Sequence, residues 1–172
     1  QADRLSKIIQ RVRTYAKRQH HEVKQENLSE IVDRALVSFR RSSLSSGIDV
    51  EVKAPGKADA LADALELELL IVNLLKNAAA ASKDSREKLI SVQLSEEANE
   101  WLLSVSDHGQ VISDKLLSRL SHPAKSLSDG LGLGLSICRL IAENHGGKLT
   151  FKPNNSKGLI VTLHLPKANK EI

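Results

Sequence analysis

The spacing of apolar residues divides the chain into helices and strands. Apolar positions at helical intervals predict helices at Arg4–Val23, in NLSEIVDRALVSF with Asn27 as N-cap, at Asp63–Ala81, after a loop in HGQVISDKLLSRL, and at Leu135–Asn144. Alternation predicts strands at Ile48–Lys53, Leu89–Leu94, Trp101–Val105, Lys148–Lys152 and Leu159–Leu165. Residues 121–129 are polar without periodicity and are predicted to form a mobile loop. This order predicts an α/β (α+β) two-layer sandwich, in which a mixed, largely antiparallel sheet packs on helices.

Two asparagines interrupt the apolar pattern of the helix at Asp63–Ala81. This helix is otherwise apolar almost all round and should be buried. Asn73 and Asn77 lie four residues apart and so project from the same side, with Lys76 beside them. A buried amide without a partner costs about 1–3 kcal/mol, so both asparagines need partners. Backbone carbonyls are one possibility, but a pair in register with a lysine favours a polar ligand. The oxygen of an asparagine is also a suitable ligand for Mg2+, which bridges phosphates.

Three glycines alternate with leucines before the helix at Leu135–Asn144, in the segment SDGLGLGLSICRLIAENHGG. No Gly-Lys-Ser/Thr follows them, which excludes a P-loop, and the lack of a preceding apolar strand disfavours a dinucleotide fingerprint. Gly132 and Gly134 leave backbone N–H groups uncovered, and the positive end of the following helix points toward them. These features predict a phosphate site. A flexible hinge with a glycine-assisted helix start is the alternative.

A carboxylate follows the strand at Trp101–Val105, in the segment SVSDHG. At a strand end beside Gly109, Asp107 can accept a hydrogen bond from the exocyclic amino group of adenine. Guanine presents an acceptor at that place and would be repelled. An ordinary Asp-Gly turn is the alternative interpretation of this segment.

Together and in this order, these elements resemble the nucleotide-binding boxes of the Bergerat (GHKL) ATP-binding fold, and most closely the catalytic domain of two-component sensor histidine kinases. NLLKNA is similar to the N box, DHG to the first glycine box, GLGLGLSICRLIAENHGG to the second, and GLIVTLHLP to the closing strand. The resemblance runs from about Asn27 to Pro166. It implies a catalytic ATP-binding domain at 27–172, preceded at 1–26 by the end of a dimerisation helix and a linker.

The resemblance also implies roles for individual residues. Asn77 would ligate Mg2+, Asn73 and Lys76 would contact phosphates, and Asp107 would bind adenine. The other ATP-binding positions that it implies are Gly109, Ile112, Lys125, Gly130, Gly132, Gly134 and Leu135. It implies no catalytic residue within the chain, because the γ-phosphoryl group of ATP would pass to a histidine upstream. His21 stands in a similar context, but Glu26 occupies the place where the family's phosphorylation box has proline.

Two departures from the family pattern predict a looser adenine pocket and lid. Val111 stands where the first glycine box has its second glycine, and the lid lacks the family's phenylalanines. A nucleotide-binding module with weak or no catalysis is therefore one alternative to a kinase. Hydrolytic relatives such as gyrase- and MutL-like ATPases have a glutamate base where this chain has Asn73, which disfavours hydrolysis. A serine kinase stays open on fold alone.

Composition limits where the chain works and what it binds. Much of the positive charge behind the net +4 lies in the first 24 residues, and aromatic residues make up 2%, so nucleic acid is not an expected partner. Cys138 is the one cysteine, which excludes an intramolecular disulfide and favours a reducing, cytoplasmic compartment. No apolar run is long enough to cross a membrane.

The start of the chain bears on its partners. The chain begins with Gln1 and contains no methionine, so we expect it to be part of a longer protein. The resemblance implies two partners, which are the dimerisation and phosphoacceptor domain of the same or a sister chain and the receiver domain of a response regulator.

Overall fold

The fold combines a five-stranded sheet, a second sheet of two short strands, and helices, in a computed structural model that describes residues 22–122, 133–155 and 157–167. The elements in chain order are β1 (Lys24–Asn27), α1 (Leu28–Arg40), a 3-10 turn (Ser43–Ser45), β2 (Asp49–Lys53), β3 (Asp59–Ala62), α2 (Ala64–Ala81), β4 (Leu89–Glu97), β5 (Glu100–Ser106), α3 (Asp114–Ser121), α4 (Leu133–Asn144), β6 (Lys148–Pro153) and β7 (Leu159–Pro166).

The larger sheet has the strand order β2-β4-β5-β7-β6. β2 runs parallel to β4, and the other neighbouring pairs are antiparallel. Buried side chains of the sheet, including Val92, Leu103 and Leu163, join those of α1, α2 and α4 in one hydrophobic cluster. The predicted two-layer arrangement, with a mixed and largely antiparallel sheet packed on helices, is therefore confirmed.

Helices α2 and α4 pack side by side in opposite directions, and this packing positions the start of α4. Oδ1 of Asn73 on α2 lies 3.8 Å from the place that a Cβ of Gly134 would occupy. At the other end of the pair, Nε2 of His145 accepts a hydrogen bond from the N–H of Asp63, the N-cap of α2, at 2.9 Å. The N-terminal end of α4 therefore lies beside the part of α2 that carries the asparagines.

His145 follows α4 directly, as the sequence predicts, and its imidazole is almost completely buried. Its Nδ1 lies 2.8 Å from the carbonyl oxygen of Ile141. Since Nε2 accepts from Asp63, the hydrogen of the ring is on Nδ1 and is donated to Ile141. Oδ1 of Asp63 in turn accepts hydrogen bonds from two N–H groups in the first turn of α2, both at 3.1 Å. His145 thus connects the end of α4 to the start of α2.

The sequence analysis missed the smaller sheet, in which β1 pairs antiparallel with β3. Residues 24–26, which the resemblance assigns to the linker, form part of β1. Both strands are only four residues long, so neither has enough alternation to be recognised locally. Asn27 is the N-cap of α1 as predicted, and its Oδ1 accepts from the N–H of Ser29 at 3.1 Å and of Ala58 at 3.0 Å.

Several predicted boundaries differ from the observed ones. α4 begins at Leu133, two residues before the predicted start. Ser121 is the last residue of α3 and does not begin a loop. Residues 123–129 of the predicted mobile loop, and residues 4–21 of the predicted N-terminal helix, lie outside the described residues.

Trp101 is the second residue of β5, at the end of the strand away from Asp107. The indole is 7% exposed, and its Nε1 donates a hydrogen bond to the carbonyl oxygen of Asp59 at 3.1 Å. The ammonium group of Lys167 lies 5.5 Å from the centre of the ring. These contacts join β5 to the smaller sheet.

The sequence analysis also made predictions about Cys138 and about membrane-spanning segments. Cys138 is completely buried on α4, with its Sγ 3.8 Å from the carbonyl oxygen of Leu70, as expected for a small core residue. Within the described ranges, none of the helices has both the length and the apolar content needed to span a membrane.

Candidate functional site

An open cavity of about 530 Å3 lies between α2, the end of β5, α3, the start of α4 and β7. Most of its wall is apolar, with side chains such as Leu74, Val105 and Leu120, while a few polar groups reach it from α2 and from the loop after β5. Four of the residues predicted from the sequence meet there: Asn77, Asp107, Ile112 and Leu135. A cavity of this size, largely apolar with a few polar groups, is typical of small-molecule sites.

Asp107 is 5% exposed and lies directly after the last residue of β5. Its Oδ1 accepts hydrogen bonds from the N–H of Gly109 at 2.9 Å and of Leu159 at 3.4 Å. Its Oδ2 has no hydrogen-bond partner among the described residues, and it is not fully enclosed. Backbone groups therefore hold one carboxylate oxygen and leave the other available at the cavity.

The environment of Asp107 changes its protonation behaviour. Burial raises the pKa of the carboxyl group, because the charged form loses its contact with water. The N–H groups of Gly109 and Leu159 and the nearby His108 act in the opposite direction and offset part of the rise. The net pKa is above the ordinary value for aspartate.

The turn between β6 and β7 contacts Asp107, and the sequence analysis missed this contact. Nδ2 of Asn154 donates a hydrogen bond to the backbone carbonyl of Asp107 at 2.8 Å, and the N–H of Asp107 donates to the carbonyl of Leu159 at 3.0 Å. Gly158 has φ +94° and lies so close that an added Cβ would overlap the Asp107 carbonyl oxygen. The segment PNNSKG signals a turn, but nothing in it indicates which part of the chain the turn will contact.

Gly109 allows the loop after β5 to pack against the end of α2. A Cβ at this position would lie 2.7 Å from the carbonyl oxygen of Ala81 and 3.0 Å from Oδ1 of Asp107. The N–H of Gly109 is also one of the two donors to that oxygen. Gly109 is not part of the cavity wall, so its contribution to the site is to position Asp107.

The three residues of α2 that were predicted for the site differ in their surroundings. Asn77 is exposed and lines the cavity. Asn73 is 5% exposed, and its Nδ2 donates to the carbonyl of Leu69 at 3.0 Å, so a backbone carbonyl satisfies its donor. Lys76 is half-buried and does not line the cavity. The structure therefore brings Asn77 to the site and sets Asn73 between α2 and α4.

The glycine-rich segment is described only in part. Gly134 belongs to the first turn of α4 and faces Oδ1 of Asn73. Lys125, Gly130 and Gly132 lie outside the described residues, and their predicted contacts with phosphates stay predictions.

Val111 stands where the family pattern has a glycine, and its side chain is 70% exposed. It is not part of the cavity wall, and its backbone is not in the left-handed region that favours glycine. The cavity described here therefore gives no support to the prediction that Val111 loosens the adenine pocket.

A metal ion in this cavity would have few protein ligands. In residues 22–122, 133–155 and 157–167, no group of three or more His, Cys, Asp or Glu side chains could hold one. Asn77 supplies an amide oxygen at the cavity. Mg2+ commonly keeps several waters and binds through one or two protein oxygens plus the phosphates of a substrate, so the residues present fit this ion.

Known proteins resemble this chain in sequence and in structure. The family model for histidine kinase-, DNA gyrase B- and HSP90-like ATPases matches residues 62–169. The sensor protein FixL of Bradyrhizobium diazoefficiens is 31% identical over 176 residues, which cover 99% of this chain and 34% of FixL. Sporulation kinase B of Bacillus subtilis is 29% identical over 167 residues, which cover 95% of this chain and 38% of that kinase. The catalytic domain of the histidine kinase ThkA, in a nucleotide-free form, is similar with a TM-score of 0.71 and 27% identity.

The chain matches only part of each sequence relative but nearly the whole of the solved catalytic domain. The chain spans 34% and 38% of the lengths of the two sequence relatives, whereas the structural match covers 85% of this chain and 96% of the ThkA domain. The family model, the sequence relatives and the fold agree. The chain belongs to the histidine kinase-, DNA gyrase B- and HSP90-like ATPase family, and within it to the catalytic domains of the sensor histidine kinase type.

Proposed function

We propose that this chain binds ATP together with Mg2+ and transfers the γ-phosphoryl group to a histidine of a dimerisation domain. That domain belongs to the same or a sister chain, and a response regulator receives the phosphoryl group from it. The proposal rests above all on the available Oδ2 of Asp107, which shares an apolar cavity with the exposed amide of Asn77.

Asp107 would recognise the adenine ring. With Oδ1 engaged by two backbone N–H groups, Oδ2 is left to accept a hydrogen bond from the 6-amino group. Apolar side chains such as Ile112 and Leu135 supply walls against which the ring can pack. A guanine base would bring its 6-oxo group to the same carboxylate oxygen, and two acceptors repel each other.

Asn77 would hold Mg2+ at the phosphate end of the nucleotide, with phosphate oxygens and water completing its coordination. When bound, the ion neutralises charge on the phosphates. Lys76 and the N–H groups at the start of α4 would add positive charge near the same phosphates. These protein groups act mainly by orienting the triphosphate.

Transfer to histidine fits the site better than hydrolysis does. Asn73 occupies the position where hydrolytic relatives have a glutamate, and an amide cannot take a proton from water. Its donor is also engaged with the carbonyl of Leu69. A histidine nitrogen needs no such base; it forms a bond to the γ-phosphorus as the bond to the β,γ-bridging oxygen breaks and ADP leaves.

The rest of the proposal concerns the whole protein. Residues 1–26 would lead from the dimerisation helix into the catalytic domain at 27–172, and β1 would fix that linker to the domain by pairing with β3. The catalytic domain would work in the cytoplasm.

The proposal is tested by calorimetric titration of the chain with ATP, with and without Mg2+, followed by incubation with γ-labelled ATP. We expect Mg2+-dependent ATP binding, little labelling of the chain alone, and very slow phosphate release. Mixing in a hairpin domain with its phosphoacceptor histidine should produce label that acid removes, because phosphohistidine is acid-labile.

Other outcomes assign the chain differently. Absence of ATP binding contradicts the proposal. Acid-stable label indicates a serine kinase, and rapid phosphate release without labelled protein indicates an ATPase. Acid-labile label on the chain alone that disappears in His21→Gln would identify His21 as the acceptor.

A further inference from the structure

We propose that Asn154 is a positioning residue for base recognition, acting through Asp107; this inference rests on the proposed binding of ATP. Nδ2 of Asn154 donates to the backbone carbonyl of Asp107 at 2.8 Å, although 47 residues separate them in the chain. No motif in the sequence connects the two positions.

The backbone of Asp107 is held at both of its polar groups by the β6–β7 region. Its N–H donates to the carbonyl of Leu159 at 3.0 Å, and its carbonyl accepts from Asn154. The carboxylate is held as well, because Oδ1 accepts from the N–H of Leu159 and of Gly109. With three of its polar atoms restrained, Asp107 presents Oδ2 in one orientation. Loss of the Asn154 hydrogen bond would release the peptide group that carries this orientation.

Asn154 is itself held in place before any ligand binds. Its N–H donates to the carbonyl of Gly158 at 2.9 Å, and its carbonyl accepts from the N–H of Lys157 at 3.1 Å. The side chain is half-buried and reaches Asp107 without a change in the turn. A donor that is already ordered loses little conformational entropy in making its hydrogen bond.

Asn154 does not line the cavity assigned to the nucleotide. It lines a neighbouring cavity of about 590 Å3, whose wall includes Gly109, Gln110 and Lys157. A nucleotide bound to Oδ2 of Asp107 would therefore not touch Asn154. Any effect of Asn154 on the affinity for nucleotide must pass through Asp107 and should depend on the 6-amino group that Asp107 accepts from.

The test compares ATP with purine riboside triphosphate, which has the same phosphates and sugar but lacks the 6-amino group. Dissociation constants are measured for the unaltered chain, Asn154→Ala and Asn154→Asp. The matched control is Asn155→Gly, because Asn155 is exposed, has φ +50°, and adopts a conformation that glycine accepts. We expect Asn154→Ala to weaken the binding of ATP about five- to tenfold and the binding of the analogue less than about twofold. Asn154→Asp keeps the size of the side chain but sets a carboxylate against the Asp107 carbonyl, so it should lower the preference for ATP further.

A second background separates positioning from general loosening of the fold. In Asp107→Asn, the further substitution Asn154→Ala should leave the ratio of the two affinities unchanged. The positioning role is overturned if Asn154→Ala weakens the binding of ATP and of the analogue equally. It is also overturned if the ratio of the two affinities drops by the same factor in the unaltered chain and in Asp107→Asn. If the unaltered chain binds neither nucleotide, the proposed function itself fails; if it prefers ATP and Asn154→Asp keeps the full preference, only the role of Asn154 fails.

Discussion

The backbone of Gly158 lies directly against the carbonyl group of Asp107. Gly158 has φ +94°, and a Cβ added there would overlap the carbonyl oxygen and lie 2.7 Å from the carbonyl carbon. The same glycine donates its N–H to the carbonyl of Gln110 at 2.9 Å. The turn before β7 and the loop after β5 therefore form one unit, and the carboxylate assigned to adenine lies within it.

We expect Gly158→Ala to destabilise the chain by more than about 1 kcal/mol, because it combines a strained φ with a steric overlap. ATP affinity should fall as well, since Asp107 must move. Gly56→Ala is the control: its Cβ would meet nothing within 4 Å, and its φ is ordinary. The control should change the free energy of unfolding by less than about 0.5 kcal/mol in urea denaturation followed by circular dichroism. Similar losses in the two variants would contradict the close contact.

Asp107→Asn should weaken ATP binding by about 1–3 kcal/mol while reducing the preference over GTP. The amide keeps the shape of the side chain but can present a donor where the adenine amino group needs an acceptor. Titration calorimetry with both nucleotides measures the effect. Equal affinities for ATP and GTP in the unaltered chain would count against adenine recognition by Asp107.

Acidification should weaken ATP binding at a pH above that expected for an ordinary aspartate. Burial raises the pKa of Asp107, so its carboxylate takes up a proton before an exposed one would, and the protonated oxygen no longer accepts freely. The ratio of affinities for ATP and purine riboside triphosphate, measured against pH, follows this step, and Asp107→Asn should lack it. A ratio that stays constant down to the ordinary value of 3.8 would show that the pKa is not raised.

The same raised pKa affects the stability of the nucleotide-free chain in the opposite direction. The fold favours the protonated carboxyl, so the contribution of Asp107 to stability is greatest below 3.8 and is lost as pH rises through the higher pKa of the folded state. Subtracting the unfolding free energies of Asp107→Asn from those of the unaltered chain, at each pH, isolates this contribution. An increase of the difference with pH would contradict the predicted sign.

Asn77→Ala should remove most of the Mg2+-dependent gain in ATP affinity and leave the unfolding free energy within about 0.5 kcal/mol of the unaltered value. Asn77 is exposed at the cavity, so its loss creates no buried defect. Leu65→Ala, which shortens a 58% exposed side chain in the first turn of the same helix, is the control and should keep the Mg2+ dependence. Unchanged Mg2+ dependence in Asn77→Ala would remove Asn77 from the proposed metal site.

His145→Ala should lower the unfolding free energy by about 2–4 kcal/mol, since it removes a buried ring, the hydrogen bond that joins the end of α4 to Asp63 at the start of α2, and the hydrogen bond to Ile141 within α4. The control is His122→Ala, because His122 is exposed at the end of α3 and should cost less than about 1 kcal/mol. A small effect at His145 would mean that the two helices hold together without this connection.

Local patterns predicted the elements whose signal lies within a few residues. The helix at Ala64–Ala81 is apolar over most of its length, and the strands of the hairpins β4–β5 and β6–β7 alternate apolar with polar residues. The N-cap Asn27 precedes a helix start that is recognisable by itself. The pair β1–β3 could not be found this way. Its register pairs Lys24 with Ala62, and only the folded chain brings such short segments together.

The candidate site divides in the same manner. Asp107 and Asn77 could be predicted because each lies in a short motif of its own. The contribution of Asn154 and Gly158 depends on a turn folding back onto a loop far away in the chain, which no local pattern encodes. At Val111 the sequence departs from the family motif without changing the cavity. Its side chain faces solvent, and the neighbouring residues form the cavity wall.

The position of Trp101 gives this domain a built-in optical reporter. It is the one tryptophan of the chain, and it lies six residues before Asp107 along β5, about 20 Å away at roughly 3.3 Å per residue. Because the indole is buried, its emission should shift to longer wavelength when the domain unfolds, while a nucleotide bound at Asp107 lies too far away to contact it. Fluorescence can therefore measure the folding of each variant separately from its occupancy by nucleotide, and a substitution that only loses ATP can be distinguished from one that has melted.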